Sequence, residues 1–221
     1  MACNKPEIKR IDLSVGEFNV LVFNSYFKVV LIQGDENSAW AEGSEGFLKK
    51  LKTSEDNMEL SFEQGNKSSW LNPKSNDVTL YITVKDLHQI RANETCDISS
   101  QNTLTGEELG IIFASKLNEA KLNLDYKSVY YWNNFPCGGK LDLSGSCELL
   151  SIWNFALMQV DAQNLSCKVA LIENSSKGNC TVHVSDYIKY SIYGSGNIHC
   201  YGNPPTVVKE ETSSTGIFSL K

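Results

Sequence analysis

Val129-Tyr-Tyr-Trp-Asn133, Leu150-Ser-Ile-Trp-Asn154 and Ala170-Leu-Ile-Glu-Asn174 are runs of one pattern recurring at intervals of about twenty residues. Leu109-Gly-Ile-Ile-Phe113 precedes them and Tyr190-Ser-Ile-Tyr-Gly194 follows. After each comes a polar turn and a second short alternating run: Lys121-Leu-Asn-Leu124, Lys140-Leu-Asp-Leu143, Gln159-Val-Asp-Ala162, Thr181-Val-His-Val184 and Asn197-Ile-His-Cys200. Strands this short cannot bury a face alone, and a fixed period lets each turn of chain cover the next. The pattern predicts an all-β chain folded as a right-handed parallel β-helix, a β-solenoid with rungs of about twenty residues.

Working outward, the third residue of each row is Ile111, Tyr131, Ile152, Ile172 or Ile192, an inward column. Alternation along a strand turns the fourth position outward, which places Trp132, Trp153 and Tyr193 on the surface with Tyr130 nearby. The fifth position returns inward at a corner and holds Asn133, Asn154 and Asn174. Stacked there, their amides could bond from rung to rung, a stabilising ladder to which no chemistry is assigned. The second strands give another outward column, Asn123, Asp142, Asp161, His183 and His199, whose register could slip by two residues without changing face.

The 77 residues before the repeat read as a strand-rich N-terminal cap, with strands at Glu17–Phe23, Phe27–Ile32, Ser38–Glu42 and Met58–Phe62, helical spacing at Gly46–Leu51, and a polar loop at Gly65–Asp77. Rungs fill residues 78–221, and no linker separates the two parts, so 1–221 is read as one domain.

Composition narrows the function. The formal charge is −6 and lysine and arginine form no cluster, so a nucleic-acid partner is not expected. No apolar run is long enough to span a membrane. The seven cysteines form no C-x-x-C pair, which argues against a zinc or redox motif. Cys147 and Cys167, like Cys180 and Cys200, are twenty apart, a spacing that suits stacked buried thiols or disulfides between adjacent rungs. Met1-Ala2-Cys3 reads either as the remnant of a lipoprotein cleavage site, with Cys3 the acylated residue, or as an early cysteine of a cytosolic protein.

Near the end, Gly194-Ser-Gly-Asn-Ile198, Tyr201-Gly-Asn-Pro-Pro205 and Ser214-Thr-Gly-Ile-Phe218, with Phe27-Lys-Val-Val-Leu-Ile-Gln-Gly-Asp35 near the start, resemble the bacterial family called putative auto-transporter adhesin, head GIN domain. The resemblance covers nearly the whole chain. It implies a β-solenoid at the outer surface or in the periplasm of a Bacteroidetes-type bacterium, a role in adhesion, no cofactor, and the lipoprotein reading of Cys3. The chain departs from the family where Asn133, Phe135 and Cys137, or Ala156 and Leu157, stand in place of the family's Gly-Ser-Gly turn.

The aromatic positions Trp132, Trp153, Tyr193 and Tyr130 admit three readings: a stripe covered by the cap or a loop, a protein or homo-oligomer interface, or a surface that stacks on sugar rings. Asp142, Asp161, His183 and His199 form the one set resembling metal ligands, but parallel side chains on a flat face do not wrap a cation, so no metal is assigned. Catalysis by a polysaccharide lyase or hydrolase would require carboxylates converging in a cleft. Asp125, Asp142, Asp161 and Asp186 are instead dispersed, and Gly194-Ser-Gly196 lacks the context of a serine nucleophile. The sequence is therefore read as a non-catalytic surface or periplasmic binding protein, its partner a glycan or a surface protein. A carbohydrate-active enzyme and a purely structural oligomerising module are the alternatives.

Overall fold

The computed structural model describes residues 7–65, 78–115, 117–133 and 135–221. Cys3 and most of the polar loop at Gly65–Asp77 lie outside the described residues. The chain forms a parallel β-solenoid of about 6 turns with rungs of about 21 residues, 71% strand and 2% helix.

The repeat region comprises β10 (Leu104–Phe113), β11 (Leu117–Trp132), β12 (Gly138–Ser176), β13 (Cys180–Ile192), β14 (Ile198–Tyr201), β15 (Thr206–Thr212) and β16 (Phe218–Leu220). Each is paired in parallel with the strand one turn away. Ile111 stands opposite Tyr131 and Tyr131 opposite Ile152, so the inward column forms as expected over these three rows, whereas Ile172 stands opposite Tyr190 rather than Ile192. These side chains are buried in one continuous core running from Phe18 to Cys200. Each fully buried aliphatic or aromatic side chain contributes about 1.5–3 kcal/mol, and stacking is what removes both neighbours of a rung from water.

The coil begins earlier than residue 78. Strands β2 (Val20–Phe23) and β3 (Phe27–Gln33), expected within the cap, pair in parallel with β8 (Gln89–Ala92) and β9 (Cys96–Ser100). On their other side they pair in parallel with β6 (Glu59–Gln64) and β7 (Thr79–Val84). Residues 20–33 are thus an inner rung with later sequence on both sides. The reason is in the pattern: Leu21, Phe23, Phe27, Val29 and Leu31 are inward and buried, the same alternation that builds every other rung. Periodicity along the chain missed it because this rung is not followed in sequence by its spatial neighbour.

The true cap consists of edge strands. β4 (Ser38–Ser44) runs antiparallel to β7, β1 (Ile8–Leu13) antiparallel to β4, and β5 (Leu51–Asp56) antiparallel to β6. The expected helical turns shrink to α1 (Glu45–Leu48), held to β1 by Lys9 at 3.0 Å from Glu45. On the outside of the cap Trp40 stacks on Tyr81 with ring centroids 4.9 Å apart, and the Arg10 guanidinium lies 4.6 Å from the Trp40 ring.

The six described cysteines are buried free thiols. Cys180 stands opposite Ile198, while Cys200 stands opposite Val182, so this pair is offset and cannot bridge. Burial pushes the thiols of Cys96 and Cys180 up to about 12, which makes them inert packing groups.

The asparagine corner is built differently from a simple stack. Only Asn154 and Asn174 bond through their side chains, Nδ2 donating to Oδ1 at 3.1 Å. Asn133 reaches the next rung's backbone instead, donating to the Phe155 carbonyl at 3.0 Å and accepting from the Phe155 N–H at 2.8 Å. A second series, which sequence reading did not single out, runs along the other end of the same turn, next to the Gly178 and Gly196 carbonyls that Asn174 bonds. There Asn179 accepts from the Asn197 N–H, and Asn197 from the Ile217 N–H.

Candidate functional site

Strict alternation on β11 buries Tyr131 and turns Tyr130 and Trp132 outward. Parallel register then puts Trp132 directly opposite Trp153. The two indoles are 39% and 44% exposed, so the cap does not cover them. Among the described residues neither indole stacks on another ring. Between them lies a shallow groove of about 310 Å³ lined by Tyr130, Trp132 and Trp153.

Tyr130 is fixed by groups that sequence reading missed. Gly110 faces it in the register, and a Cβ on Gly110 would meet the Tyr130 ring at 2.3 Å. The ring therefore occupies the space a side chain would need. Gln89 donates from Nε2 to Tyr130 Oη at 3.1 Å, and Arg91 donates to Gln89 Oε1 at 2.7 Å. Arg91 also lies 3.6 Å from Glu59. Moving along the coil from β8 to β12, the outward residues are Arg91, Ile112, Trp132 and Trp153 in one column and Gln89, Gly110, Tyr130 and Ser151 beside it. An apolar strip thus has a planar polar network at one end. The signal was glycine inside an alternating strand, Gly110 under Tyr130 and likewise Gly106 under Tyr126, a common mark of close approach.

Tyr193 does not extend this strip. Register shifts between Ala162 and Val169 set Ile172 opposite Tyr190 and Asn174 opposite Ile192, two residues from the expected alignment. Tyr193 is exposed but bonds Glu211 through its hydroxyl at 3.1 Å. The strip is continued after Trp153 by the exposed Glu173, as the Asn154–Asn174 bond requires.

The polar column also slips. Asp142 stands opposite Lys121 rather than Asn123, Asp161 opposite Thr181, and Thr181 opposite His199. His183 is set apart beside Ser166 and Tyr201. Lys140 lies between the two carboxylates, 2.6 Å from Asp142 and 3.5 Å from Asp161, and the bond to Asp142 raises its ammonium above the ordinary lysine value. The cation at this place is thus a lysine. Among the described residues no group of three His, Cys, Asp or Glu side chains could hold a metal ion. Asp125 accepts a bond from Ser146 and Asp186 one from Ser185, away from the Asp142–Asp161 pair.

A family model described as putative auto-transporter adhesin, head GIN domain, matches residues 17–204. Among solved structures, a putative adhesin from Bacteroides fragilis NCTC 9343 superposes with a TM-score of 0.85 at 17% identity, covering 98% of each chain. A putative adhesin from Parabacteroides merdae ATCC 43184 gives 0.63 at 16% identity, over 99% of this chain and 97% of that one. A putative lipid binding protein from Parabacteroides distasonis ATCC 8503 gives 0.64 at 14% identity, over 99% and 98%. At these identities the likeness is one of fold. No curated protein matches the chain.

Proposed function

We propose that this chain, which belongs to the putative auto-transporter adhesin, head GIN domain family, is a non-catalytic binding protein of the bacterial cell surface whose contact site is the Trp132–Trp153 strip. The observation that carries the reading is the pair of unstacked indoles on adjacent rungs, 39% and 44% exposed, with Tyr130 held beside them. Exposed aromatic faces gain much contact at little entropic cost because the rings have few rotatable bonds. The rigid ladder beneath keeps them preorganised.

The ligand class that suits the strip is a glycan. The apolar faces of Trp132 and Trp153 match the C–H faces of pyranose rings, while Arg91 at one end and Glu173 at the other match hydroxyl groups. Asp142 and Asp161, the two carboxylates that come together, are both engaged by Lys140, which supports binding without bond cleavage.

The test is a glycan array probed with the native chain and with a variant carrying Trp132→Ala and Trp153→Ala. Binding of the native chain, lost in a double variant that keeps its circular dichroism and melting profile, is the expected result. Equal binding by both proteins, or release of products from a polysaccharide mixture, would overturn the reading.

A further inference from the structure

The groove at the centre of the strip has walls of one chemical kind. Tyr130, Trp132 and Trp153 line its volume of about 310 Å³, and the Tyr130 hydroxyl is taken up by Gln89 at 3.1 Å. Aromatic rings carry a negative face and a positive edge, so a site walled by several of them favours a cation over a neutral group of the same shape. Among the described residues the cation seated on a ring is Arg10 on Trp40, out on the cap, and no side chain of the chain itself plays that part in the groove.

The carboxylates on this face have the complementary sign. Glu173 follows Trp153 in the strip, one strand spacing on, about 4.8 Å. Glu108 lies on the same face of β10 as Gly110, over which the Tyr130 ring rests. Both are exposed, and among the described residues neither has an ion-pair partner. The cations nearby are farther off or engaged. Arg91 is two turns from Trp132 and 3.6 Å from Glu59, and two turns are about 10 Å, the range at which salt screens a charge. Lys189, one turn beyond that of Glu173, is paired with Glu210 at 3.3 Å. Lys177 sits past the Asn154–Asn174 corner, its N–H donating to the Ala156 carbonyl at 2.8 Å.

We infer that the groove holds a quaternary ammonium group of the ligand, such as the trimethylammonium end of a choline ester. The inference rests on the strip being a contact site and narrows what its centre accepts. A primary ammonium is a compact, strongly hydrated charge that needs hydrogen-bond acceptors on burial, and three aromatic rings offer none. A methylated ammonium has no N–H to satisfy and presents its charge through methyl groups, so ring faces alone suffice to hold it. Glu173 and Glu108 add attraction from the rim, as does the net charge of −6 over longer range. A sugar that carries such a group would use the strip for its ring and the groove for its cation. The contact is the same whether the ammonium belongs to a lipid headgroup or to a soluble or glycan-borne ester.

Isothermal titration calorimetry of the full chain with choline, to about 10 mM, tests this beside the neutral analogue in which carbon replaces the nitrogen. Choline is expected to bind about tenfold tighter than the analogue, or more. Trp132→Ala and Trp153→Ala, at exposed positions, should each weaken choline binding by about tenfold, with unchanged circular dichroism. Glu173→Gln, which alters no ring, should weaken it by about twofold to fivefold and flatten its dependence on salt. Equal affinity for choline and its analogue, no choline binding at about 10 mM, or binding indifferent to both tryptophan substitutions would overturn the inference. Cosedimentation with phosphatidylcholine vesicles that choline inhibits would assign the group to a lipid headgroup, and choline binding without cosedimentation to a soluble or glycan-borne ester. Glycan binding by a chain that ignores choline would overturn this inference and leave the glycan reading standing, whereas choline binding by a chain that takes no glycan would do the reverse.

Discussion

The Tyr130 ring lies over Gly110 one turn back in the coil, so close that a β-carbon on Gly110 would stand 2.3 Å from it. A residue without a side chain on one rung thereby decides where an aromatic on the next can rest. The Gln89 amide then holds the phenol from the far side at 3.1 Å.

Gly110→Ala is expected to push the Tyr130 ring out of its seat and break the bond to Gln89. Overpacking of this kind costs about 1–3 kcal/mol. Urea denaturation should record that loss, and the emission of the neighbouring Trp132 should shift. A variant with unchanged stability and emission would show that the ring is not seated as described.

Asn154 donates to the Met158 carbonyl at 2.9 Å and to Asn174 at 3.1 Å from a buried position. Asn154→Ala removes both bonds, while the Met158 carbonyl keeps the Ser176 hydroxyl at 3.0 Å and Asn174 Oδ1 keeps the Ser176 N–H at 3.3 Å, so the loss is that of two hydrogen bonds, about 1–3 kcal/mol. A cycle with Asn174→Ala should be non-additive by about 0.5 kcal/mol or more, the mark of residues in one network. Additive losses would mean that the two amides act independently.

Tyr131 is fully buried in edge-to-face contact with Phe113, centroids 5.7 Å apart, and its hydroxyl has no hydrogen-bond partner. Burial drives its phenol far above the ordinary tyrosine value. Removing a buried hydroxyl that has no partner relieves a desolvation cost. Tyr131→Phe should therefore leave stability unchanged or raise it by up to about 1 kcal/mol, read as the midpoint of thermal unfolding. A fall in that midpoint would point to a bonded hydroxyl.

Glu45 ties the edge of the cap together, and its bonds to Lys49 and Lys9 hold its carboxyl down at about 2. Because the folded value lies below the ordinary one, the stabilisation is complete above the ordinary carboxylate range and is lost as pH falls through about 2. Hydrogen exchange of β1 should speed up across that interval, and Glu45→Gln should remove the dependence. β1 amides whose exchange, corrected for the intrinsic rate, does not change between pH 5 and pH 2 would contradict it.

Much of this was legible in the chain itself. The recurrence of Val129–Asn133, Leu150–Asn154 and Ala170–Asn174 determined the coil, because a short strand with one apolar side has to be covered by another of the same period. Alternation determined which side chains face out, and so Trp132 and Trp153 were visible as neighbours before any coordinates. The tertiary structure alone decided how the turns align and which turns are neighbours. Slippage by two residues leaves every side chain on its own face, so no pattern of apolar positions opposes it. That freedom is why Tyr193 left the strip, His183 left Asp161, and Cys180 left Cys200. The inner rung at residues 20–33 was hidden for a related reason: periodicity orders turns along the sequence, whereas the core asks only that each apolar face find a cover, whichever part of the chain supplies it.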